Sequence, residues 1–156
     1  MPGAAAWGVV TGVAMVKSGL AVHWALAMSL TAYAGSAQLA VLPLLAGASP
    51  VWLIAITALI TNLRFVIYSA ALRGWLTDYR RQRRLWLGYL TGDFVMATFL
   101  NRVAAEGAFV HRDAYFFGMS VANWLVWNVA SIIGIVAAAY IPTHWGLEFA
   151  GVLALL

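Results

Sequence analysis

The chain has 156 residues, of which 64% are hydrophobic and only 9% charged, with a formal net charge of +4 and a mean hydropathy of +0.89. A soluble domain carries about 25% charged residues, and a water-soluble fold of this length has too much surface for its volume to hide so much apolar side chain. A soluble enzyme, a disordered tail and a collagen-like chain are excluded; what remains is an all-α, polytopic transmembrane helical bundle of about five to six spans at about 20 residues each.

Ala4–Val16 is apolar but too short to span alone, and reads as the remnant of a longer helix or half of a broken one. Leu20–Ala46 follows, interrupted by Ala34-Gly35-Ser36-Ala37-Gln38 and by Pro43. Val51–Leu72 is about one bilayer thick and contains Asn62 and Arg64. The loop Arg73–Arg84 carries Arg80, Arg81, Arg83 and Arg84. Such a basic loop marks the cytoplasmic side of a membrane protein rather than a nucleic-acid surface. Leu85–Val103 holds Asp93 and Asn101, and a polar connection, Ala104–Asp113, leads to Tyr115–Ile141. Thr143–Gly146 turns the chain into a last apolar run, Leu147–Leu156, too short to cross by itself. Without long linkers, residues 1–156 read as a single transmembrane domain.

Counting outward from the cytoplasmic loop, and taking each of these runs as a full crossing, places Lys17–His23 inside and Gly47–Pro50 outside. Ala104–Asp113 then lies outside and Pro142–Gly146 inside. With no cysteine in the chain, disulfides, iron–sulfur clusters and thiolate zinc are excluded. His23, His111 and His144 have no ligand partner at helical spacing, so no metal or other cofactor is expected. The tryptophans near segment ends, among them Trp24, Trp52, Trp75, Trp86 and Trp145, fit aromatic belts. Trp124 and Trp127, with Asn123 and Asn128, lie inside the fifth segment, where packing is the default.

Three polar clusters sit where water should be absent, and an ionised side chain there costs several kcal/mol unless it faces the bundle interior or a wet cavity. Arg64 and Tyr68 are four residues apart and share a helix face, close to Asn62. Arg64 either snorkels to the interface or serves a cavity, a carboxylate or an anionic substrate group. Asp93 lies as far from the arginine loop as Arg64 does, so the two have matched depth. They form either a structural bridge or a proton-exchanging pair, since burial raises the carboxyl pKa and the guanidinium lowers it. Ser29 and the Gly35–Gln38 stretch suit close helix packing or an unwound segment that binds the charged ends of a zwitterion.

In order, Ala34-Gly35-Ser36-Ala37-Gln38, Asn62-Leu63-Arg64 and Thr91-Gly92-Asp93 resemble successive signatures of the AzlC family. Ala97, four residues after Asp93, fits the same pattern, and Trp127, Gly134, Ile141-Pro142 and Gly146-Leu147-Glu148-Phe149-Ala150 resemble its later stretches. The resemblance covers nearly the whole chain. It implies a secondary exporter of branched-chain amino acids, in some members methionine. Such an exporter works in the bacterial inner (plasma) membrane with a small membrane subunit of the AzlD type. The chain then reads as part of the large subunit, beginning within the first helix and stopping at the sixth. On this reading Ser29, Gly35, Ser36, Gln38, Asn62, Arg64 and Tyr68 contact an apolar amino-acid substrate and Asp93 couples export to protons. The alternative is a structural or regulatory membrane subunit that does not itself transport; a channel is a third class, and no enzymatic constellation is present.

Overall fold

The structure, a computed structural model, describes residues 2–77, 79–107, 111–138 and 140. Among the described residues it is all-helical: α1 Pro2–Lys17, α2 Val22–Thr31, α3 Gly35–Ala46, α4 Val51–Thr61, α5 Arg64–Leu76, α6 Arg81–Leu90, α7 Asp93–Glu106 and α8 Arg112–Ala137. The turn at Thr143–Gly146, the Gly146–Ala150 motif and the final apolar run lie outside the described residues. The chain forms two compact units, Met1–Leu63 with Val126–Leu156, and Arg64–Leu125.

The expected five to six full spans are not what the described helices form. Among them only α8, with 26 residues, is by itself long and apolar enough to cross a membrane, and α4 with α5 makes a second if the pair is one interrupted span. The apolar runs are cut by backbone breaks at 32–34, 62–63 and 91–92. The pieces α2, α3, α6 and α7 have 10 to 14 residues. At 1.5 Å per residue they are roughly 15–21 Å long, against a hydrocarbon core of about 30 Å.

In the first unit, α1 begins with Pro2, whose fixed φ suits the first helical position. It ends where Gly19 takes φ +87°. Gly19 N–H donates to Val16 and Leu20 N–H to Met15, a Schellman closure with Leu20 packed on the core that contains Met15. The chain then turns back into α2. Ala25, on α2, shares a buried cluster with Leu39 and Leu42 of α3, and with Ala14, Met15 and Ile135. The break between α2 and α3 instead meets Trp127, about two turns before Ile135 on α8 (Tyr33 lies edge-on to it at 6.0 Å). A straight α2–α3 rod would carry Leu42 far past this cluster, so α2 and α3 form a half-depth hairpin. The reading of Leu20–Ala46 as one full crossing is thereby overturned, and Gly47–Pro50 lies at the same end of this unit as Lys17–His23.

The second unit repeats the plan. Arg64 and Tyr68, early in α5, meet Asp93, the first residue of α7, and Trp75, late in α5, lies edge-on to Phe99 at 6.2 Å. These two helices therefore run in the same direction. Opposed to them are α6 and α8. At the end of α6 the Tyr89 hydroxyl accepts a 3.2 Å hydrogen bond from the Trp124 indole, while Arg83, near its start, lines one small cavity with Phe99 and Phe116. Helices α6 and α7 are a second hairpin, turning at Thr91-Gly92, where the backbone is extended.

The polar connection before α8 is consequently misplaced by the sequence reading. Ala104–Asp113 is expected across the membrane from the arginine loop, yet its Arg112 lies at the same end of this unit as Trp75, Tyr79 and Arg83 of that loop. Arg112 stacks on Trp75 at 4.8 Å and Arg83 on Tyr79 at 4.3 Å. Burial, and then donation of its hydroxyl to Asp113, hold the Tyr79 phenol above its usual range.

Much of the apolar surface stays uncovered. No residue of α4 is buried; Val51 is 81% exposed, and Leu59, Ile60, Val66 and Ile67 are also exposed. In water such a face marks an interaction site or an aggregation hazard. Against acyl chains it carries no penalty.

Candidate functional site

The residues singled out in sequence fall into two sets. In the first unit, Gly35-Ser36-Ala37-Gln38 is not unwound. The break lies just before it, at 32–34, and the stretch is the first turn of α3. Gln38 N–H closes on the carbonyl of Ala34, while the three preceding amides occupy the helix start, where no intrahelical acceptor exists. The Gln38 side chain is 1% exposed. Its amide nitrogen donates to the carbonyls of Met28 at 3.0 Å and Ala32 at 2.8 Å. Gln38 thus caps the end of α2 from the other leg of the hairpin and fixes the turn. Its Oε1 is buried without a hydrogen-bond partner.

Gly35 sits where a Cβ would overlap the Trp127 ring, so its glycine is required by close approach and leaves no void on that side. Ser29 is fully buried and donates to Asn128 Oδ1 at 3.4 Å. Asn62 closes the end of α4, its backbone N–H reaching Ala58 and Leu59 at 3.1 Å. Its side-chain Oδ1 is buried without a partner.

The second unit brings together Arg64, Tyr68 and Asp93. Arg64 Nη1 lies 3.0 Å from Asp93 Oδ2. The Tyr68 hydroxyl donates to Oδ1 at 2.8 Å. The matched depths inferred from sequence are therefore realised as an ion pair, with each carboxylate oxygen taking a different donor. Arg64 also overlies the Phe65 ring at 5.3 Å. Asp93 stands at the first position of α7, where the helix dipole favours a negative charge. Thr91 locks the turn before it, its hydroxyl donating to Leu87 at 2.6 Å.

The pair is half-exposed, with side-chain exposures of 31% and 52%. Solvent screening then limits its worth to roughly 1 kcal/mol. Arg64→Leu with Asp93→Leu together is expected to cost about 1 kcal/mol less than the sum of the two single losses. A thermal-melt double-mutant cycle that gives additive losses would contradict the coupling.

Sequence reasoning underweighted α8. Ser120, Asn123, Asn128 and Ser131 are each at most 4% exposed and recur on one face of the helix. The signal was their spacing of three, five and three residues inside one long apolar segment.

Comparison with known proteins is consistent with this picture. The chain is 25% identical over 104 residues to the inner membrane protein YgaZ of Escherichia coli (strain K12), covering 65% of this chain and 42% of that one. It is 28% identical over 145 residues to an uncharacterized membrane protein of Helicobacter pylori (strain ATCC 700392 / 26695), covering 91% of this chain and 61% of that one. The chain thus spans about two fifths to three fifths of the length of these relatives. No solved structure matches. The family described as AzlC protein matches residues 1–141, and the chain belongs to that family.

Proposed function

We propose that the chain is the large-subunit portion of a secondary transporter that exports branched-chain amino acids, and methionine as a secondary substrate, in exchange for protons. The observation that carries the reading is the Asp93 carboxylate, held between the Arg64 guanidinium at 3.0 Å and the Tyr68 hydroxyl at 2.8 Å. A zwitterion is complementary to an open ion pair: its carboxylate suits Arg64 and its ammonium suits Asp93. Protonating Asp93 removes the ammonium's partner. Proton and substrate then compete for one carboxylate, which is the condition for exchanging one for the other.

Ser29, Gly35, Ser36 and Gln38 enter the proposal through the first unit, where the positive end of the α3 dipole favours a carboxylate and Gln38 Oε1 is an acceptor without a partner. Asn62 contributes a second such acceptor. The surrounding apolar side chains supply selection for an aliphatic group. A single membrane domain, a cytoplasmic Arg73–Arg84 loop and a small AzlD-type partner belong to the same proposal.

The test is efflux from leucine-loaded proteoliposomes under an inward proton gradient. Wild type is expected to export, and Asp93→Asn to lose at least tenfold of the gradient-driven rate. An unchanged rate in Asp93→Asn would remove the coupling role. Flux that appears only when a small second subunit is co-reconstituted would instead assign the chain a supporting part.

A further inference from the structure

An open groove of about 870 Å³ lies between α5 and α6, with Tyr68, the hydroxyl partner of Asp93, on its wall. Its walls are mostly apolar, with Phe65 and Val66 at one end and Leu76 and Thr77 at the other. From Phe65 to Thr77 the groove follows α5 for 12 residues, roughly 18 Å. This is close to one leaflet, half of a hydrocarbon core of about 30 Å. Gly88 forms part of the floor, and a Cβ added there would meet nothing within 4 Å.

The polar end is cationic. Arg73 and Arg84 both line it, and among the described residues neither forms an ion pair with a carboxylate. Arg83 and Arg112 are engaged with Tyr79 and Trp75 instead. A second observation points the same way. Helix α6 starts with arginines at positions 81, 83 and 84, has no acidic residue in its first turn and no side-chain cap. Cations at the positive end of a helix dipole repel it. The first amides of that turn also have no intrahelical acceptor. One phosphate group held between Arg73 and Arg84 would compensate both guanidinium charges and ease the repulsion at the start of α6.

We propose that the α5–α6 groove binds one anionic phospholipid, its phosphate between Arg73 and Arg84 and an acyl chain along the apolar walls over Gly88. The graded polarity separates this occupant from a free phosphate, which has no use for the apolar part, and from a partner helix, whose apolar face would leave the arginines uncompensated. Basic pockets beside membrane helices at the cytoplasmic face select such headgroups.

The full chain is reconstituted in nanodiscs of phosphatidylcholine with a minor fraction of phosphatidylglycerol, and retained lipid is counted by native mass spectrometry. Wild type is expected to keep one phosphatidylglycerol. Arg73→Gln with Arg84→Gln should lower its occupancy at least tenfold, and Gly88→Leu, which fills the floor without meeting protein, should do likewise. Far-ultraviolet circular dichroism equal to wild type confirms that both variants fold. Equal retention of phosphatidylglycerol by the folded arginine variant overturns the proposal, as does loss of the lipid to millimolar inorganic phosphate. Photo-crosslinking from position 88 to a second polypeptide rather than to lipid also overturns it.

Discussion

Gly12→Leu is expected to destabilise the first unit by about 3 kcal/mol, an overpacking cost at the upper end of the usual range. Helices α1 and α8 touch through backbone. A Cβ at Gly12 would overlap the carbonyl oxygen of Ser131, with the amide nitrogen of Ile135 at 2.9 Å. One at Gly134 would overlap the Val9 carbonyl, and one at Gly8 would lie 2.9 Å from the Trp127 carbonyl. None of these obstacles is the flexible end of a side chain, so the only relief is to part the helices. Parting them would also break the Ser131 hydroxyl bond to the Gly8 carbonyl, 3.2 Å long, and uncover Val13 and Met15, now at most 1% exposed. Gly118→Ala is the control: it lies on α8 but a Cβ there meets nothing within 4 Å. The control is expected to be neutral or stabilising by up to about 1 kcal/mol, because alanine is the better helix former. Thermal melts followed by tryptophan fluorescence check both. Equal melting of Gly12→Leu and Gly118→Ala would show that the helices do not meet there.

This contact was legible in principle. Gly8 and Gly12 are four apart in an apolar segment, and Ala130 and Gly134 repeat the spacing on α8, a pattern that lets membrane helices approach closely. Composition alone carried the all-helical membrane class, because hydropathy is a sum over residues and does not depend on how they are arranged. The Arg64–Asp93 pair was also within reach, since equal offsets from one basic loop imply equal depth. The function of the Gly35–Gln38 stretch was less accessible. Which residues break the chain is set by who caps whom, and Gln38 bonding back to Met28 and Ala32 is a contact between hairpin legs that no local pattern encodes. The direction of each apolar run was not legible from length, because a run of 27 residues serves equally as one tilted span or as two half-depth helices. One clue did exist. The connection Ala104–Asp113 follows Arg102 and contains Arg112, and the positive-inside rule counts such residues without offsetting them against Glu106 and Asp113.

That difference in direction yields an all-or-none prediction. The chain has no native cysteine, so a single introduced thiol reports its own position without background. Gln82→Cys lies in the first turn of α6 and Ala105→Cys in the last turn of α7, both exposed. If Leu85–Val103 were one crossing, a membrane-impermeant maleimide would reach them from opposite faces. The hairpin places them on one face, so whichever vesicle orientation labels one should label the other; with the proposed cytoplasmic arginine loop, inside-out vesicles should label both and right-side-out vesicles neither. The α2–α3 hairpin makes the parallel statement for Ser18→Cys and Ser49→Cys, both near-isosteric changes at the open end of the first unit: whichever vesicle orientation labels one should label the other. The physical argument is the same in each case. Four helices of roughly 15–21 Å cannot each cross about 30 Å of hydrocarbon, and interior turns survive at that depth only where protein or a wet cavity covers their backbone. Trp124 on Tyr89 and Trp127 on Gly35 supply that cover at the two turns. Labelling of Gln82→Cys and Ala105→Cys from opposite faces would return α6 and α7 to a single span and separate Arg112 from Trp75, a contact the hairpin cannot do without.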